Sequence, residues 1–101
     1  MVNYLTNDKS LEEMLPQEGI GIVDFFATWC GPCRMLSPVL EEVAKENIEV
    51  IKVDIDKFEE LTRSFSIMSV PTIQIYKDKV LIRQMTGYLS KEDLMRIIKN
   101  I

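Results

Sequence analysis

Both cysteines of the chain stand in one short stretch, "TWCGPCR" (Thr28 to Arg34), two residues apart and directly after the only tryptophan. A pair so placed can be a structural cross-link, part of a metal site, a pair of inert core thiols, or a redox couple. A cross-link closing so short a loop stabilises by only about 2 kcal/mol before strain is subtracted. A structural zinc site needs a full set of ligands, usually Cys or His. The chain has two cysteines and no histidine, so carboxylates or a second chain would have to complete the shell. Inert thiols fit poorly beside Gly31 and Pro32. The redox alternative accounts for these neighbours. Pro32 suits a first helical turn, where its fixed φ is already helical and its missing N–H would be unpaired anyway. Cys30 then stands at a helix N-terminus, whose orphan N–H groups and dipole favour a thiolate. Cys33 falls on the same face one turn in, less exposed. In this reading Cys30 attacks and Cys33 resolves the mixed disulfide.

Two further residues break the pattern of their surroundings. Asp24 is an acid among Ile22, Val23, Phe25 and Phe26, shortly before the cysteines. Burying a carboxylate costs several kcal/mol unless it is paired or protonated, and desolvation raises its pKa. It is either a hydrogen-bonded structural acid, a solvated strand end, or a buried base. Lys52 lies in the next apolar run, "IEVIKVD", and its plain alternative is an exposed lysine at a sheet edge.

The elements that must position these residues follow from periodicity. "VNYLT" (Val2 to Thr6) reads as a short strand. Ser10 with Glu13 forms a capping box for a helix carrying Leu11, Met14 and Leu15, which Pro16 and Gly19 close. "IGIVDFFA" (Ile20 to Ala27) is a nearly continuous apolar run, the pattern of a strand covered on both faces. After the cysteines, Leu36, Val39, Leu40 and Val43 recur at helical spacing, and Pro38 inside them predicts a kink. Ile48 to Asp54 is another strand. Asp56 with Glu59 is expected to cap a helix whose inner face is Phe58, Leu61 and Phe65. "TIQIY" and "VLIRQM" are strands separated by Lys77-Asp78-Lys79, short enough only for a hairpin. Ser90 with Asp93 starts a last helix carrying Leu94, Ile97, Ile98 and Ile101. The order β-α-β-α-β-α-β-β-α is that of an α/β sandwich, parallel at first and ending in an antiparallel hairpin.

Composition limits the function classes. The 101 residues suit one domain, expected to span 1–101, with 47% hydrophobic and 28% charged residues. The net charge of −4, with basic residues scattered among acids, offers no basic stripe for nucleic acid. No apolar run approaches the ~20 residues that cross a bilayer. "MVNYLTNDKSLEEML" lacks the cationic start and apolar core of a secretion signal, so the expected compartment is the cytoplasm, where thiols stay reduced. A monomer is expected.

"VDFFATWCGPCRMLSPVLEEVA" closely resembles the active-site strand and helix of thioredoxins. "SVPTIQIYKD" resembles their later proline loop and strand, and "TGYLSKEDL" the glycine before their last helix. These motifs run in order along nearly the whole chain, and a Cys-x-x-Cys beside a βαβ pattern is itself a thioredoxin-like signature. The resemblance implies a three-layer α/β/α sandwich, with a five-stranded mixed sheet and four flanking helices. It implies protein-disulfide reduction through a redox-active Cys30–Cys33 disulfide with no bound cofactor. Electrons would come ultimately from NADPH through a thioredoxin reductase, and disulfide-containing proteins would be the substrates. Gly31-Pro32 between the cysteines goes with reductants, whereas Pro-Tyr goes with glutaredoxins and Gly-His with protein disulfide isomerases. The other readings are an oxidase or isomerase in an oxidising compartment, and a binding subunit built on the same fold.

The resemblance also assigns supporting roles. Asp24 becomes the base that takes the Cys33 proton through water, and Lys52 the lysine that approaches it. Pro71 becomes a cis proline lying against the sulfurs, although sequence alone favours trans, and Val70 offers its backbone to an extended substrate. Trp29, Gly31, Pro32, Val70, Pro71, Gly87 and Tyr88 would form an apolar docking patch around Cys30. Three positions depart from the family pattern. Phe26 replaces a common tryptophan and removes a donor near Asp24. Lys79 stands where a hairpin glycine is usual, and Tyr88 is bulkier than the small residue often found there.

Overall fold

The computed structural model describes residues 1–101. Nine elements follow one another: β1 (Val2–Tyr4), α1 (Leu11–Met14), β2 (Ile20–Phe26), α2 (Gly31–Ala44), β3 (Glu49–Asp54), α3 (Glu59–Ser64), β4 (Thr72–Lys77), β5 (Val80–Thr86) and α4 (Lys91–Lys99). The five strands form one sheet in the order β1-β3-β2-β4-β5. β1, β3 and β2 run parallel, and β4 and β5 are antiparallel additions on the other side of β2. This is the expected mixed sheet with four helices, and β2 at its centre is why that strand reads as a continuous apolar run.

Alternation along the strands sorts the side chains into two faces. Ile22, Val50, Ile73 and Ile75 pack with Leu36, Leu40 and Val43 of α2 and Leu94 and Ile98 of α4. Val23, Phe25, Ile51 and Val53 pack with Leu11 and Leu15, and with Phe58, Leu61 and Phe65 around α3. Each fully buried aliphatic side chain stabilises by roughly 1.5–3 kcal/mol, so the two layers hold the sheet from both sides. Asp24 and Lys52 are register partners on the face that carries α2. Across that face they continue a row with Tyr4 on one side and Ile73 on the other.

The serine caps stand as expected. Ser10 and Glu13 form a reciprocal capping box, and the Ser90 hydroxyl accepts from the Asp93 N–H. α2 continues through Pro38, which lies at an exposed position of the helix. The cap expected at Asp56 is absent. α3 begins after Phe58 with no side-chain cap, and Asp56 is engaged elsewhere. Asp78 and Lys79 both have positive φ, 51° and 68°, as a two-residue hairpin turn requires. Asp78 is tied down by Gly19, whose N–H donates to its carboxylate at 2.7 Å.

Candidate active site

β2 ends at Phe26, and the chain turns through Thr28 and Trp29 into α2. Cys30 is the N-cap of α2 and Cys33 lies in its first turn, with Cα atoms 5.2 Å apart and the two sulfurs joined in a disulfide. The Cys33 N–H donates to Cys30 Sγ at 3.1 Å. That contact, with the N-terminal dipole of a 14-residue helix, would stabilise negative charge on Cys30 once the bond opens. Cys30 is 6% exposed and Cys33 2%, which makes Cys30 the more accessible of the two. The Arg34 guanidinium donates to the Thr28 carbonyl at 3.1 Å and closes the loop around the pair.

Opposite the sulfurs stands the loop before β4. The Val70–Pro71 peptide is cis, and the Val70 carbonyl oxygen lies 3.8 Å from Cys30 Sγ. Cys30, Cys33, Phe26 and Ala27 form a small apolar cluster flanked by Ile55 and Val70. Gly87 donates its N–H to the Pro71 carbonyl at 2.8 Å, and its φ of +93° requires glycine although space for a Cβ is open. The structure thus brings Gly31, Pro32, Val70, Pro71 and Gly87 together around the cysteines. Tyr88 follows Gly87 and is exposed, with no hydrogen bond or aromatic contact to the site.

Trp29 is 66% exposed, which excludes a core-packing role. Its indole N–H donates to the Asp56 carboxylate at 3.0 Å. Beside it a groove of about 310 Å³ is lined by Ile55, Ile67, Met68 and Val70. Of the groove, Val70 was expected at the docking surface, whereas Asp56, Ile55, Ile67 and Met68 carried no local signal of such a role. The bond from Trp29 spans 27 residues of sequence, and only the fold reveals it.

On the sheet face that carries α2, Asp24 is fully buried, and neither carboxylate oxygen has a hydrogen-bond partner in the protein. Lys52 Nζ lies 3.9 Å from Asp24 Oδ2, close enough for Coulomb attraction but beyond a hydrogen bond. Burial pushes the Asp24 carboxyl up from 3.8 to about 7, the Lys52 charge pulling partly the other way. Lys52 is itself buried, donates to the Ser37 hydroxyl, and lies over the rings of Phe26 at 4.9 Å and Tyr4 at 5.6 Å. The sheet-edge alternative for Lys52 is therefore excluded, and Phe26 supplies a π face where a tryptophan would add a donor. A cavity of about 200 Å³ reaches Lys52, lined by Tyr4, Phe26, Cys33 and Ser37 among others.

Comparison with known proteins agrees with this geometry. The thioredoxin family model matches residues 2–100. A thioredoxin of Listeria monocytogenes is 44% identical over 101 residues, covering 97% of this chain and 96% of its own. One from Mycoplasmoides gallisepticum is 34% identical, covering 97% of this chain and all of its own. Among solved structures, a mutant thioredoxin of Halobacterium salinarum superposes with a TM-score of 0.90 at 28% identity, covering 98% of this chain and 88% of that one. Oxidised thioredoxin of Plasmodium falciparum superposes with a TM-score of 0.82 at 33% identity, covering 99% and 97%. With the family model spanning residues 2–100 and a relative 44% identical over nearly the full length, the chain belongs to the thioredoxin family, and its Cys30–Cys33 pair makes it a thiol–disulfide oxidoreductase that reduces protein disulfides.

Proposed function

We propose that the chain is a monomeric, single-domain general disulfide reductase of the cytoplasm, re-reduced by a thioredoxin reductase with electrons from NADPH. The observation that carries the reading is the position of Cys30 at the α2 N-terminus, 3.8 Å from the Val70 carbonyl and beside an exposed Trp29. In the dithiol, the Cys30 thiolate attacks one sulfur of a substrate disulfide, and the other substrate sulfur leaves as a thiolate. Asp24, in its ionised form, takes the Cys33 proton through water. The resulting Cys33 thiolate attacks Cys30 Sγ, closes the intramolecular disulfide and expels the second substrate sulfur. Two electrons have then passed to the substrate, and the reductase returns two. Lys52 holds the field around Asp24. Trp29, Gly31, Pro32, Val70, Pro71, Gly87 and Tyr88 form the docking surface, in which an extended substrate pairs with the Val70 backbone.

A reductant of this kind works where thiols are kept reduced, which supports the cytoplasm as its compartment. The purified chain, given NADPH, a thioredoxin reductase and a disulfide-bonded protein, is expected to sustain NADPH oxidation. Cys33→Ser is expected to halt at a covalent mixed disulfide through Cys30. If no NADPH consumption depends on the chain, the reductase coupling is refuted. If Cys33→Ser captures no substrate, the division of labour between the cysteines is refuted.

A further inference from the structure

Asp24 and Lys52 are register partners on neighbouring strands, buried together, yet they do not form a hydrogen-bonded ion pair. An ammonium this close to an unpartnered carboxylate would ordinarily bond it. Lys52 donates instead to the Ser37 hydroxyl across the sheet–helix interface, and the faces of Phe26 and Tyr4 hold the rest of its charge. Ser37 lies one turn beyond Cys33 on α2 and lines the same cavity as Cys33 and Lys52. The cavity beside Lys52 is lined by few titratable or polar groups. β3 contributes Lys52 and α2 contributes Cys33 and Ser37, with Arg34 at the cavity mouth bonded to the Thr28 carbonyl. β1 contributes Tyr4 at the cavity, and the β4 register partner Ile73 carries no charge.

We infer that Ser37 is a positioning residue: its hydroxyl draws the Lys52 ammonium away from Asp24 and keeps that carboxylate free of a hydrogen bond, ready to accept the Cys33 proton. Removing the hydroxyl leaves a buried ammonium short of an acceptor, and Asp24 Oδ2 is the nearest replacement. Roughly 1 Å of movement brings Nζ into charge-assisted hydrogen-bonding range. A contact ion pair favours the ionised carboxylate and makes it a weaker base. The role in turnover rests on the reading of Asp24 as the base, while the position of Lys52 does not.

The test is Ser37→Ala in the full chain, with Ser37→Thr as the variant that keeps the hydroxyl. Carbon NMR of the Asp24 carboxyl in the oxidised protein reads the local field directly. The midpoint is expected to fall by about one pH unit in Ser37→Ala and to return to the parent value in Ser37→Thr. An unchanged or higher midpoint in Ser37→Ala overturns the inference whatever the rates do. The pH profile of single-turnover substrate reduction is expected to move down with the NMR midpoint. A midpoint that falls while the rate profile stays put leaves Ser37 as the holder of Lys52 but removes Asp24 as the base.

Discussion

Replacing Asp24 by asparagine keeps the shape of the buried side chain and removes its ability to ionise. In the folded protein burial carries this carboxyl from 3.8 to about 7, against the opposing pull of Lys52. At about 1.4 kcal/mol per pH unit, that displacement corresponds to roughly 4 kcal/mol. Its sign follows from proton counting. Between the two values the unfolded chain holds an ionised carboxylate while the folded chain holds a protonated acid, so folding takes up a proton. Stability is therefore full below about pH 4, falls as the pH rises towards about 7, and is level above it. Asparagine cannot follow this slope. Its amide has no ready partner in the pocket and keeps a desolvation cost of about 1–3 kcal/mol. Asp24→Asn is thus expected to fall about 1–3 kcal/mol below the parent near pH 4, where only the amide's cost differs, and to exceed it by about 1–3 kcal/mol at pH 8. Urea unfolding of the oxidised proteins across pH 4 to 8 measures the difference. Two parallel pH curves, or a variant less stable than the parent at pH 8, would refute the claim that this carboxyl is buried at a cost.

The backbone offers two sharper tests. Gly87 has φ +93° with empty space where a Cβ would go, so Gly87→Ala should lose about 1–2 kcal/mol through conformation alone, read by the same unfolding assay. Equal stability would show that the turn adapts. Lys79 holds φ 68° without the freedom of glycine, and Lys79→Gly should gain about 1 kcal/mol from the relieved turn. A loss would mean that Asp78 and Gly19 already absorb the strain.

Features that depend on neighbours in sequence were the legible ones. Ser10 and Ser90 announce their helices because a cap and its partner lie within one turn, and Pro32 marks the first turn of α2. The continuous apolar run of β2 revealed a strand covered on both faces. The redox pair was legible because both cysteines and the proline between them are contiguous. Asp56 misled for the same reason. Its spacing to Glu59 imitates a cap, but its carboxylate is drawn to Trp29, which only the packing of the α3 approach against the α2 loop brings near. The bond from Lys52 to Ser37 is likewise a product of α2 lying on β3, and its partners are 15 residues apart. The cis bond at Pro71 could be expected only through the resemblance, since local sequence favours trans.

The position of the misfits is itself informative. On the α2 face of the sheet the other central positions, Ile22, Val50, Ile73 and Ile75, are all fully buried and apolar. The fold therefore imposes no need for charge there, and well-packed apolar replacements of a buried ion pair are often neutral or stabilising. A cost of roughly 4 kcal/mol at neutral pH is large against the roughly 5–15 kcal/mol by which domains are stable. It falls on the sheet face that carries α2, beside Lys52, and it leaves a carboxyl with no hydrogen bond from the protein and a pKa raised to about 7. A structural acid would be expected to find partners, as Asp78 does at Gly19 and Asp56 at Trp29. Asp24 has no protein partner, which fits the proposed role of a carboxylate that takes a proton from a thiol and gives it up again.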